Sequence, residues 1–166
     1  MAEKTKGHIV LPEQLVSSVD LARVTRELEA LDDSLHQATL RKAGEPTKLS
    51  RSSITLEDLA RLNGVSLMNA AHRSQLIKLL HALHEHTPRI RISLASEPSG
   101  TFLQKIVVWM RANVHPTILL EAGLQPTLSA GCTIRTHNKI FDMSLRHRFD
   151  ENRHMLIEKI KESELA

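Results

Sequence analysis

The chain has 166 residues, 41% of them hydrophobic and 25% charged, the balance of a globular protein rather than a disordered one. Aromatic residues make up 2%, namely Phe102, Trp109, Phe141 and Phe149 with no Tyr. The core must therefore be aliphatic, and a base-stacking platform for single-stranded nucleic acid is hard to build. Lys and Arg number 22 against 19 Asp and Glu, a net charge of +3, without the like-charge runs of a concentrated basic footprint. A lone Cys132 excludes an internal disulfide and fits a reducing compartment. No apolar run approaches the roughly 18–20 residues of a membrane span, and the apolar run at the start reads as too short for a signal peptide. The expectation is a soluble chain that reaches a membrane only through another protein.

Met1–Gly7 is polar and expected to be mobile. Leu21, Val24, Leu28, Leu31, Leu35 and Ala38 follow at steps of 3, 4, 3, 4 and 3, an a/d seam that predicts a helix packed along a narrow stripe. Its partner is either another helix of the same chain or one from a second protein. Ser17-x-x-Asp20 reads as a capping box, and Gly44 with Pro46 as the stop. Residues 45–53 form a linker. A short helix is expected from Thr55, capped by Thr55-x-x-Asp58 and ended by Asn63-Gly64. A longer one follows from Ser66 to His86, with Leu76, Leu79, Leu80 and Leu83 on its apolar positions and Thr87-Pro88 closing it.

The period then changes. Ile90, Ile92 and Leu94 alternate with Arg89, Arg91 and Ser93, as in a half-exposed strand. Leu103, Ile106, Val107, Met110 and Val114 make a helix face, with Ser99 as a candidate cap. Strands are expected at Thr117–Ala122, Cys132–Arg135 and Lys139–Phe141. Asp142 or Ser144 would cap a final helix carrying Leu145, Phe149, Leu156 and Ile160 toward the sheet. The fold class is α+β: an all-α segment over 8–86, then a small β-α-β-β-β-α domain over 87–166. The helix over 102–114 is long enough to set its flanking strands parallel.

The chemistry-bearing residues are sparse. His81 and His84 lie three apart on one helix, as metal ligands do, but no Cys pair or acid completes a four-ligand set. Cys132 follows Gly131 in what reads as a buried strand, and reads as a small core residue rather than a nucleophile. No nucleotide-binding loop, nucleophile elbow or zinc-protease pattern is present, so neither a catalytic residue, a cofactor site nor a metal site is assigned.

The segment Leu124–Arg148, LQPTLSAGCTIRTHNKIFDMSLRHR, resembles the C-terminal signature of the F-type ATP synthase delta subunit, the mitochondrial oligomycin-sensitivity-conferring protein. Pro126, Leu128 and Gly131 stand at that family's turn, and Arg135 in its strand. Lys139, Asp142, Ser144 and Arg146 stand in its closing run. Gln125 replaces the usual Asp, and Ala130 the first of two Gly. The resemblance covers about residues 87–166. The family's N-terminal domain resembles a six-helix bundle, against three helices read here.

The resemblance implies a non-catalytic peripheral-stalk, or stator, subunit without cofactor. It would tether the catalytic head to the stalk formed by the b subunit, so that rotation is coupled to proton flow and ATP synthesis. The implied partners are the C-terminal helix of the ATP synthase b subunit and the N-terminal segments of the alpha subunit. Nucleic acid is not among them, the membrane is touched only indirectly, and the implied place is the cytoplasmic face of a bacterial plasma membrane. The motif residues read as structural: Gly131 for a tight turn and Asp142 for the helix start. Trp109, Met155 and Ile157 are candidates for an apolar partner-binding patch. Alternatively, Met155 and Ile157 pack against the helical half. A reading of another class is a small basic RNA- or ribosome-associated module, supported by the bias over 71–116. There Arg73, Lys78, Arg89, Arg91, Lys105 and Arg111 face only Glu85 and Glu97.

Overall fold

The computed structural model describes residues 9–40 and 52–164. Met1–Gly7, the helix stop at Gly44 and Pro46, and nearly all of the linker lie outside them. The elements in chain order are helices α1 (Ser18–Leu40), α2 (Ile54–Leu62) and α3 (Ala70–His86), strand β1 (Arg89–Leu94) and helix α4 (Gly100–Asn113). They continue with strand β2 (Leu119–Leu124), a 3-10 turn (Pro126–Leu128), strands β3 (Cys132–Arg135) and β4 (Ile140–Asp142), and helices α5 (Leu145–Glu151) and α6 (Arg153–Glu164). An N-terminal helical part followed by a mixed four-stranded sheet makes the fold α+β.

The chain divides into two compact units. The first holds the residues up to Pro88 together with Gln104–Leu119, and the second Arg89–Leu103 together with Leu120 onward. One boundary falls at Pro88, beside the expected change of period. The others group Gln104–Leu119 with the N-terminal helices. Arg111 shows why: its guanidinium donates to the carbonyls of Pro12 (2.9 Å), Leu15 (2.5 Å) and Ile118 (3.3 Å), tying α4 to the entry segment. Burial lowers its pKa to about 10, so it is still charged at neutral pH.

In the first unit the heptad seam packs at home. Leu21, Val24, Leu28 and Leu31 are buried with Leu56 and Leu59 of α2 and Leu76 and Leu80 of α3, and Leu35 is packed against them. Ser17 and Asp20 form the reciprocal capping box, with Ser17 N–H donating to Asp20 Oδ2 (2.9 Å) and Asp20 N–H to Ser17 Oγ (3.2 Å). The start of α2 departs from expectation. Its cap is Ser53, whose Oγ accepts from Leu56 N–H (3.3 Å) and donates to Glu27 Oε2 (2.7 Å). The expected Asp58 pairs instead with Arg61. Asn63-Gly64 ends the helix as expected. Gly64 N–H donates to Arg61 O and Val65 N–H to Ala60 O, the Schellman arrangement around a residue with φ of +63°.

Helix α3 begins at Ala70, not Ser66, because the Asn69 side chain accepts from Ala71 N–H (2.9 Å) and His72 N–H (3.4 Å). Leu79 faces solvent rather than the core. Arg73, by contrast, is buried, 5% exposed. Its Nε pairs with Asp32 Oδ1 at 2.5 Å and its Nη1 donates to Leu67 O at 2.8 Å.

The sheet has the order β2-β1-β3-β4. Leu119 N–H donates to Pro88 O and Gln125 N–H to Leu94 O, the same offset at both ends, so β1 and β2 run parallel as the intervening helix predicts. The pairs β1–β3 and β3–β4 are antiparallel. Strand β2 starts two residues later than expected and β4 one later, while β3 falls where expected. The final helix breaks at Asn152, whose side-chain Nδ2 and backbone N–H both donate to Arg148 O. Helix α5 has no buried residue, so Leu145 and Phe149 are exposed, not turned to the sheet. The same holds for Ile160.

Candidate partner-binding surface

The turn after β2 is organised by the motif residues. Pro126 opens the 3-10 turn and Leu128 is buried beneath it. Ser129 has φ of 60° and ψ of −50°, and Ala130 N–H donates to Leu128 O at 2.6 Å, a γ-turn in a region that L-residues rarely occupy. Gly131 follows at φ of +90°. A Cβ on Gly131 would lie 2.4 Å from Met143 O and 3.0 Å from Ser144 Cα, so this position needs glycine for both angle and space.

The strand β4 to α5 junction closes on that turn. Leu145 N–H donates to Ala130 O (2.9 Å) and Met143 N–H to Cys132 O (2.9 Å). Of the two candidate caps, Ser144 is the N-cap: its Oγ accepts from His147 N–H (3.2 Å). It is buried. Asp142 supports the cap, with its Oδ1 accepting from Ser144 N–H (2.9 Å). Hydrogen bonds from Ser144 hold the Asp142 carboxyl below its ordinary value, with His147 and Arg146 adding to the shift. Arg135, Lys139 and Arg146 are exposed. Thus Gly131, Asp142 and Ser144 meet in one backbone lock, whereas the three cations stand on the surface.

The second unit is sparingly filled. Its buried hydrophobic residues, among those described, are Ile90, Ile92, Leu120 and Leu128. Exposed large apolar side chains outnumber them. On β4 and its exit these are Ile140, Phe141 and Met143, on α5 Leu145 and Phe149, and on α6 Met155, Ile157 and Ile160. Met155 is 56% and Ile157 41% exposed. Two residues apart on one helix, they stand about 160° apart around its axis, not on one face. Ile157 and Ile160, three apart, do share a face, as do Leu145 and Phe149. Trp109 is 61% exposed but belongs to the first unit.

The remaining candidates sit elsewhere. His81 Nε2 lies 2.7 Å from Glu29 Oε1, and with His84, Arg26 and Thr25 it lines a groove of about 160 Å³ in the helical unit. Among the described residues no group of three or more His, Cys, Asp or Glu is placed to hold a metal ion. Cys132 is half-buried on β3 opposite Leu94. Among the described residues no helix is long and apolar enough to cross a membrane. Sequence reasoning did not find the Arg73–Asp32 pair or the Arg111 clamp. Both join residues more than forty positions apart, and no local pattern marks them. No protein-family model matches the chain, and no curated protein matches it either.

Proposed function

We propose that this chain is a non-catalytic stator subunit of an F-type ATP synthase, binding the C-terminal helix of the b subunit through its second unit. The observation that carries the reading is the exposed apolar surface of that unit, next to the motif whose residues resemble the delta-subunit signature. Apolar area costs roughly 25 cal/mol per Å² while it faces water, and an amphipathic helix is the element that covers such side chains with i, i+3, i+4 anchors. The paired faces of Ile157 with Ile160 and of Leu145 with Phe149 suit that geometry. A stator transmits torque without turnover. The backbone lock at Gly131, Asp142 and Ser144 supplies rigidity where the sheet meets the C-terminal helices.

The head contact belongs to the N-terminal segments of the alpha subunit in this reading, and attachment to the membrane is through the stalk. The test is affinity purification of the tagged chain from detergent-solubilised membranes of its own cells. Co-purification of alpha, beta and b subunits in fixed ratio is the expected result. Recovery of the chain free of all three overturns the reading.

A further inference from the structure

The sheet face that carries Arg91 and Arg135 is built from other residues than the apolar ones of α5 and α6. The β1–β3 register sets Arg91 directly opposite Arg135, so the two side chains leave the same face with Cβ atoms about 4.5–5.5 Å apart. Like charges so placed destabilise a sheet. On the β2 side, Glu121 Oε2 lies 3.2 Å from Arg91 Nη2. On the β4 side, Arg135 is opposite Ile140, which is 62% exposed. One row across the four strands therefore reads Glu121, Arg91, Arg135, Ile140. Two arginines are cross-strand neighbours in a row that holds one carboxylate, and an exposed apolar residue comes next in line.

We propose that this row receives an acidic amphipathic helix laid across the strands, its carboxylates on the Arg91–Arg135 pair and an apolar residue on Ile140. The inference rests on the stator reading only in taking the partner to be a helix. The spacing favours that shape: successive strands are about 4.8 Å apart, and successive turns of a helix rise about 5.4 Å. Acids at i and i+4 then match the two arginines, and a residue at i+7 or i+8 meets Ile140. Arg–carboxylate pairing is two-pronged and sets register as well as adding affinity.

Nucleic acid fits the face less well. Among the described residues the one aromatic side chain of the sheet is Phe141; it is paired with Ile134, and Ile134 with Ile92, which puts Phe141 on the opposite face.

The test uses the full chain and a synthetic helical peptide with Glu at i and i+4 and Leu at i+7 and i+8, alongside a single-stranded RNA oligomer of equal charge. The expected result is peptide binding that weakens at least tenfold in Arg91→Glu/Arg135→Glu. The same peptide with Lys in place of Glu should bind that variant and not the wild type. Arg135→Gln serves where charge reversal disturbs the sheet: it should keep or raise Tm while weakening the peptide at least threefold. Peptide affinity indifferent to all these changes overturns the proposal. RNA binding tighter than the peptide and lost on charge reversal overturns it in favour of a nucleic-acid surface. If the charge swap succeeds while membrane purification recovers no synthase subunits, the stator reading fails and the acidic-helix surface stands.

Discussion

Gly131 and Met143 touch through their backbones, closely enough that a single added methyl group on Gly131 would sit 2.4 Å from the Met143 carbonyl oxygen. The turn after β2 and the exit from β4 are therefore built against each other. Gly131→Ala must strain a backbone at φ of +90° and also push the β4–α5 junction away. The expected loss is at least about 1–3 kcal/mol, read as a fall in the urea midpoint, with Gly131→Val worse. Gly64 is the internal control. It has φ of +63° but nothing within 4 Å of its would-be Cβ, so Gly64→Ala should cost only about 1–2 kcal/mol.

Ser129 carries the opposite prospect. An L-residue in a γ-turn at positive φ is strained, and Ser129→Gly removes that penalty. A gain of roughly 1 kcal/mol in unfolding free energy is expected, measured by denaturant titration. A loss of stability would show that the serine side chain supports the turn.

Arg73 is buried and Asp32 only partly so, with side-chain exposures of 6% and 31%. Removing the carboxylate strands a cation in the helical unit, whereas removing the cation leaves an acid that water can reach. Asp32→Ala should thus cost more than Arg73→Met, on the order of 3 kcal/mol for the former. Thermal midpoints of the two variants decide the order.

Asp142 links the lock to pH. Its folded-state pKa lies below the ordinary 3.8, chiefly through the bonds from Ser144. The stabilisation is present in full above that ordinary value and is lost as pH falls through the depressed one. Asp142→Asn should flatten the acid limb of a stability–pH curve and leave the slope between about pH 6 and 8 unchanged. A proton-resolved titration of the carboxyl reads the same shift directly.

The apolar surface of α6 gives a last contrast. Met155→Asp/Ile157→Asp and Ile157→Asp/Ile160→Asp all replace exposed side chains, so circular dichroism should stay native and stability change by less than about 0.5 kcal/mol per site. The second pair shares a helix face and should abolish binding of a peptide taken from the C-terminal end of the b subunit. The first pair should weaken it less, because only Ile157 lies on that face.

Local pattern determined much of this protein. The 3-4 spacing from Leu21 onward is sufficient to specify α1 and its buried stripe, because a helix repeats its face every 3.6 residues. Ser17 with Asp20, and Asn63 with Gly64, mark helix ends whose hydrogen bonds run between neighbours in sequence. The alternation in β1 and the position of β3 were legible for the same reason. Tertiary structure alone decided the rest. Nothing local says that Ser53 rather than Thr55 caps α2, since Glu27 of another helix holds that serine. Nor does it say that Gln104–Leu119 groups with the helical unit, which depends on Arg111 reaching carbonyls nearly a hundred residues away. The apolar positions of α5 and α6 read as a core stripe because amphipathic spacing is the same whether a face meets its own sheet or solvent. Burial, not periodicity, tells the two apart. The pairing of Arg91 with Arg135 likewise exists only once the strands are in register.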